Sequence, residues 1–114
     1  MKTIIYHNPR CSKSREALCM LEEQGENVEI VKYLDDVPSI KQLEDLIKML
    51  GIKPIQLVRI NEAIWKENYK GKELSDAEVI QAMHENPRLI ERPIVVKDGK
   101  ASIGRPPSLI LDIL

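Results

Sequence analysis

The chain has 114 residues, of which 43% are hydrophobic and 31% charged, with a net charge of −1 and both signs interspersed. That balance fits one domain with a single core and argues against a general nucleic-acid or membrane-surface binder, whose footprint is a basic excess. No apolar run approaches the roughly 20 residues of a membrane helix, there is no signal-peptide core, and two cysteines make no disulfide framework, so a cytoplasmic protein is expected.

Residues 2–6 (KTIIY) are short, apolar and β-branched, and read as a buried strand. Asn8-Pro9 then breaks the extended run into a loop. Residues 12–24 favour helix, with Gly25 placed to end it and Ser14, Ala17, Leu18 and Leu21 on one face. Residues 28–33 form a second strand, which makes the first third a right-handed parallel βαβ unit. Ser39 and Gln42 form a capping box that opens a helix through Leu43, Leu46, Ile47 and Leu50, stopped by Gly51. Residues 54–63 hold one or two helical turns that continue weakly around Trp65. Ser75 and Glu78 make a second capping box, with Leu74 and Val79 placed as a hydrophobic staple; that helix ends before Pro87.

Strand character returns at 94–96 and 101–103, around an Asp98-Gly99 hairpin signal. Pro106 or Pro107 opens a last helix through Leu109, Ile110 and Ile113. The order predicts one α/β domain over residues 1–114. It has a thioredoxin-like, glutaredoxin-like layout, with a four-stranded mixed sheet and a helical insertion at about 39–86 between the βαβ and ββα parts.

Cys11 stands where the first strand gives way to the first helix. The first N–H groups of a helix lack intrahelical partners, and the helix dipole adds partial positive charge. Both favour a thiolate, which is the reactive form of cysteine, and the same N–H groups can hold an oxyanion. Arg10, Lys13 and Arg15 add positive charge nearby, and His7 lies four residues back. The competing possibility is a buried structural cysteine.

Spacing excludes several familiar sites. Cys11-Ser12-Lys13-Ser14 is C-x-x-S, so the dithiol pair is missing. Arg15 follows too soon for the C-x₅-R loop of cysteine phosphatases, and two Cys and two His are scattered without zinc-ligand spacing. On one helix, Cys19 would stand about 12 Å from Cys11 along the axis, whereas a disulfide tolerates at most about 7 Å between α-carbons. An oxidised Cys11 therefore needs an external reductant.

The stretch I-Y-H-N-P-R-C-S-K-S-R at 5–15, with N-P-x-L-I-x-R-P-I-V-V at 86–96 and G-R-P-P at 104–107, resembles the glutaredoxin-dependent arsenate reductase (ArsC) family, and within it the short YfgD-type members. The resemblance runs nearly end to end. It implies a thioredoxin-like fold and reduction of arsenate to arsenite, with glutathione as co-substrate, glutaredoxin as partner and no bound cofactor or metal. It implies a nucleophile at Cys11, an upstream histidine that helps tune it at His7, and three substrate arginines at Arg59, Arg92 and Arg105. Arg59 lies in the weakest local match. Ser12, Ser14 and Arg15, on the first helical turn, are the remaining candidate substrate contacts. Pro93 is expected as a cis-proline facing the cysteine, mainly on the strength of the resemblance.

Guanidinium groups suit this task, being always charged and able to present two parallel N–H bonds to an oxyanion. His84, near a helix end, fits a dipole partner better than a catalyst. Trp65 and the tyrosines fit packing, and Cys19 fits an incidental exposed thiol. Two other functions compete: an Spx-like redox-responsive transcription regulator binding RNA polymerase, and a monothiol glutathione-linked oxidoreductase with another substrate. Regulators of the first kind commonly carry C-x-x-C, where this chain has Ser14. A monomer is expected, with no nucleic-acid or membrane partner.

Overall fold

The computed structural model describes residues 2–105 and 107–114. These gather into two compact units, one formed by residues 1–36 and 92–114 and the other by residues 37–91.

In the first unit, β1 (Lys2–Tyr6), α1 (Ser12–Glu23) and β2 (Asn27–Val31) are followed by β3 (Ile94–Lys97) and β4 (Lys100–Ile103). The four strands form one mixed sheet in the order β2-β1-β3-β4, a thioredoxin-like α/β arrangement. β1 runs parallel to β2 and antiparallel to β3, and β3 runs antiparallel to β4. The Asp98-Gly99 turn between them has positive φ at both residues, 54° and 75°, as a two-residue type I′ hairpin requires.

Ile5 and Val95 are cross-strand partners. They pack with Ala17 and Leu21 of α1 and with Ile110 into a fully buried cluster, flanked by Leu18, Met20, Val28 and Ile113. α1 ends in a Schellman motif, with Glu26 N–H on Leu21 O at 3.1 Å and Gly25 N–H on Glu22 O at 3.0 Å. Gly25 supplies the left-handed φ of +74° there. At the far end of β1 from Cys11, Glu26 joins Lys97 at 2.6 Å and accepts the Thr3 hydroxyl at 2.7 Å. Both contacts hold its carboxyl below the usual carboxylate range.

Two expectations need correction. The second strand stops at Val31 instead of reaching residue 33. Asp35 and Asp36 N–H both donate to Lys32 O, closing a tight turn immediately after the strand. Tyr33 is 1% exposed, so its apolar character serves burial in that turn and not ladder pairing. The last helix is 3₁₀, Pro107–Ile113, and not α. Pro107, Ile110 and Ile113 recur every third residue, which gathers them on one face of a three-residue turn, and Leu109 and Leu111 are left exposed. Pro106, the other expected start, lies outside the described residues.

The second unit holds α2 (Ile40–Leu50), a 3₁₀ turn at Pro54–Leu57, α3 (Ala63–Asn68), α4 (Asp76–Glu85) and a 3₁₀ turn at Pro87–Leu89. Both capping boxes form, Ser39 with Gln42 and Ser75 with Glu78, and Gly51 closes α2 with φ +67°. Leu43, Leu46 and Ile47 of α2 and Val79, Ile80, Ala82 and Met83 of α4 are the buried residues of these two helices, which pack together. His84 Nδ1 meets Pro38 O at 2.9 Å, and Trp65 stacks on Tyr69. No helix among the described residues is long and apolar enough to cross a membrane.

Candidate active site

The strand register decides which residues meet. Tyr6, at the end of β1, pairs with Ile94, at the start of β3, and Ile94 pairs with Ile103, at the end of β4. The residues just after Tyr6, just before Ile94 and just after Ile103 therefore emerge at one end of the sheet. They are the loop to Cys11, the pair Arg92-Pro93 and the pair Gly104-Arg105. Motifs some eighty residues apart in sequence converge because β3 is antiparallel to β1.

Cys11 is the N-cap of α1, in extended conformation, and its side chain makes no capping hydrogen bond. Its N–H donates to Asn8 O at 3.0 Å, and the first helical bond runs from Arg15 N–H to Cys11 O. The N–H groups of Ser12, Lys13 and Ser14 precede that bond and carry the positive end of a 12-residue helix. Cys11 is buried, with 8% of the residue exposed. Arg105 Nη2 stands 3.9 Å from Cys11 Sγ, and Arg105 Nε donates to Arg92 O at 2.9 Å. The Arg92-Pro93 peptide bond is cis. The cysteine thus has a guanidinium on one side and a helix N-terminus on the other.

His7 and Ser14 are both buried, and His7 Nδ1 lies 2.6 Å from Ser14 Oγ. Ser14 Oγ also accepts Asn8 N–H at 3.1 Å, and His7 N–H donates to Val31 O at 2.8 Å. Nδ1 is thus bonded to Ser14 and not to the sulfur, and the pair ties both ends of the loop that carries Cys11. The serine of C-x-x-S is committed to this inner bond. Burial holds the His7 pKa below its usual value, and positive charge on Lys32 and Arg15 pushes the same way.

A histidine kept neutral in the fold takes up a proton more readily in the unfolded chain. Stability is therefore complete above pH ~6.5 and falls as pH drops below it toward the lower folded value. Urea denaturation on either side of pH ~6.5 should show this loss in the parent and a smaller one in His7→Gln. Equal losses in both would assign the effect to other groups.

Ser12 and Arg15 are exposed and, with Glu16, Cys19 and Met20, line an open groove of about 470 Å³ along α1. Arg15 Nη1 reaches Pro9 O only at 3.4 Å. Arg92 is half-buried and joins the site through its carbonyl. Arg59 belongs to the second unit, where its guanidinium meets Glu62 at 2.7 Å and Glu91 at 3.7 Å. Its backbone adjoins an isolated bridge between Val58 and Ile90.

Two residues escaped the sequence reading. Lys32 follows Val31, the partner of Tyr6 in the parallel ladder, so its charge falls beside His7; counting from the strand end finds it. Gly104 is the second. Among the described residues no group of three His, Cys, Asp or Glu could hold a metal ion.

Comparison with known proteins gives the chain a family. The model of the ArsC family matches residues 6–113. The chain is 51% identical over 112 residues to YfgD of Escherichia coli K12, covering 96% of this chain and 94% of that one. It is 46% identical over 116 residues to the arsenate reductase of Haemophilus influenzae, covering all of both chains. The solved structure of the arsenate reductase from Vibrio cholerae superposes with a TM-score of 0.96 at 47% identity, over 100% of this chain and 98% of that one. With a family model spanning nearly all of its length and its cysteine and arginine loops at one sheet end, the chain is a member of the ArsC family.

Proposed function

We propose that this protein reduces arsenate, or a closely similar oxyanion, through a covalent adduct on Cys11, with glutathione and glutaredoxin as thiol donors. The observation that carries the proposal is a cysteine at a helix N-cap, its side chain in no capping bond, with Arg105 Nη2 at 3.9 Å. That arrangement offers a nucleophile and fixed positive groups for the oxygens of a tetrahedral anion.

The Cys11 thiolate attacks arsenic(V), an As–S bond forms, and one oxygen leaves as water after protonation. A glutathione thiolate then attacks the Cys11 sulfur. The As–S bond breaks with its electron pair remaining on arsenic, which leaves as arsenite. Cys11 is left disulfide-bonded to glutathione, and a glutaredoxin thiolate attacks the glutathione sulfur to restore it. Two electrons pass from thiols to arsenic in each cycle. Cys19 is exposed on α1, eight residues from Cys11 and about 12 Å along the axis, out of reach of an internal disulfide. Arg105 and the first turn of α1 stabilise the oxyanion charge. Arg59, which the family resemblance also implies, would have to exchange Glu62 and Glu91 for the anion.

The test is arsenate turnover by the purified chain with glutathione and glutaredoxin, each omitted in turn, beside removal of glutathione from a glutathionylated protein. Turnover that requires both donors is the expected result. Deglutathionylation without arsenate turnover would replace this function with a monothiol oxidoreductase.

A further inference from the structure

Four of the five glycines are exposed, with φ between +67° and +81° and nothing near the place of a Cβ. Gly104 differs in each respect. It is buried, its φ lies outside the left-handed range, and an added Cβ would stand 2.9 Å from Pro93 Cγ and 3.2 Å from Ile110 Cγ2. An alanine could adopt this backbone, so the requirement for glycine is one of space. That space lets the chain leaving β4 lie against the Pro93 ring. Gly104 N–H donates to Pro93 O at 2.8 Å, and Arg105 N–H donates to Ile103 O at 2.9 Å, an i→i+2 turn centred on Gly104. From there the Arg105 side chain bonds Arg92 O through Nε and reaches the sulfur with Nη2.

We propose that Gly104 is a positioning residue. Its missing side chain brings Arg105 onto the Arg92 carbonyl, and that carbonyl sets which edge of the guanidinium faces Cys11. The inference rests on Cys11 as the reactive sulfur of the proposed reaction and goes beyond it by naming what aims the charge. A glycine that only filled space against Pro93 would affect melting without affecting the charge felt at the sulfur.

The experiment compares alkylation of Cys11 by iodoacetate, an anion, and iodoacetamide, which is neutral, in a Cys19→Ser background. Both reagents meet the same sulfur, so the ratio of their rates cancels thiol ionisation and reads the nearby positive charge. Arg105→Ala should lower the iodoacetate to iodoacetamide ratio about fivefold, the factor one unit charge about 4 Å away is worth in water. Gly104→Ala should lower it by a comparable factor, and the double variant should fall no further.

Arg105→Lys keeps the charge but lacks Nε, so its ratio should fall between those of the parent and Arg105→Ala. A parent-like ratio in folded Gly104→Ala, or losses that multiply in the double variant, would overturn the proposal. If circular dichroism shows Gly104→Ala unfolded, a parent-like ratio for Arg105→Lys overturns it instead, because the tether to Arg92 would then be dispensable. No arsenate is present, so failure here is distinct from failure of the reductase assay.

Discussion

Replacing Cys11 with serine is expected to abolish arsenate turnover, by ~10³-fold or more, as loss of a covalent nucleophile does. A hydroxyl is far less ionised than a thiol at neutral pH and cannot form the disulfide with glutathione through which the cycle closes. The same change should raise stability. Cys11 is the N-cap of α1 and its side chain makes no capping bond. Serine is a preferred N-cap whose hydroxyl accepts an N–H of the first turn, worth about 1 kcal/mol. A variant that melts higher and turns over nothing would mark position 11 as one where local helix energetics yield to chemistry. Steady-state turnover and thermal melting of Cys11→Ser, beside Cys19→Ser, check both parts. Residual turnover in Cys11→Ser would remove the covalent mechanism, as would its loss in Cys19→Ser.

The second large effect is expected at Arg105. Truncation to alanine removes the guanidinium whose Nη2 stands 3.9 Å from the sulfur. A hydrogen bond to a charged group contributes about 1.5–3 kcal/mol, so kcat/KM for arsenate should fall about 10- to 100-fold. Arg105 is exposed, and the melting temperature should change little. A fall in kcat with KM unchanged would place the interaction at the developing charge of the transition state, and a rise in KM alone would place it in ground-state binding. Unchanged kinetics would take Arg105 out of the reaction.

Much of this was legible in the chain itself. The C-x-x-S spacing excluded a dithiol pair on the first helical turn, the two capping boxes marked the starts of α2 and α4, and Asp98-Gly99 marked the hairpin. Each is a local rule satisfied by neighbouring residues. What escaped depends on tertiary placement. Residues 32 and 33 read as strand because a branched and aromatic run looks the same whether it pairs in a ladder or is buried in a turn. The last helix was read at α spacing, although its buried residues recur at three. Ser14 counted as a first-turn substrate contact, and its bond to His7 became visible only when β2 placed Val31 behind the loop. Gly104 carried no signal of its own, because the crowding that demands it comes from Pro93 and Ile110.

The Asp98-Gly99 turn lies at the opposite end of β3 and β4 from Cys11, yet it sets which residues meet there. With only two residues between Lys97 and Lys100 there is no slack in the hairpin. Every rung up to Ile94 and Ile103 follows from it, and with the last rung the meeting of Arg105 and the Arg92 carbonyl. One residue inserted at the turn, unless taken up as a three-residue bulged loop, would slide β4 by about 3.4 Å and turn its side chains to the other face. Exposed loop tips are ordinarily where chains lengthen at least cost. Here the tip acts as a gauge block for the residues that meet at the other end of the sheet.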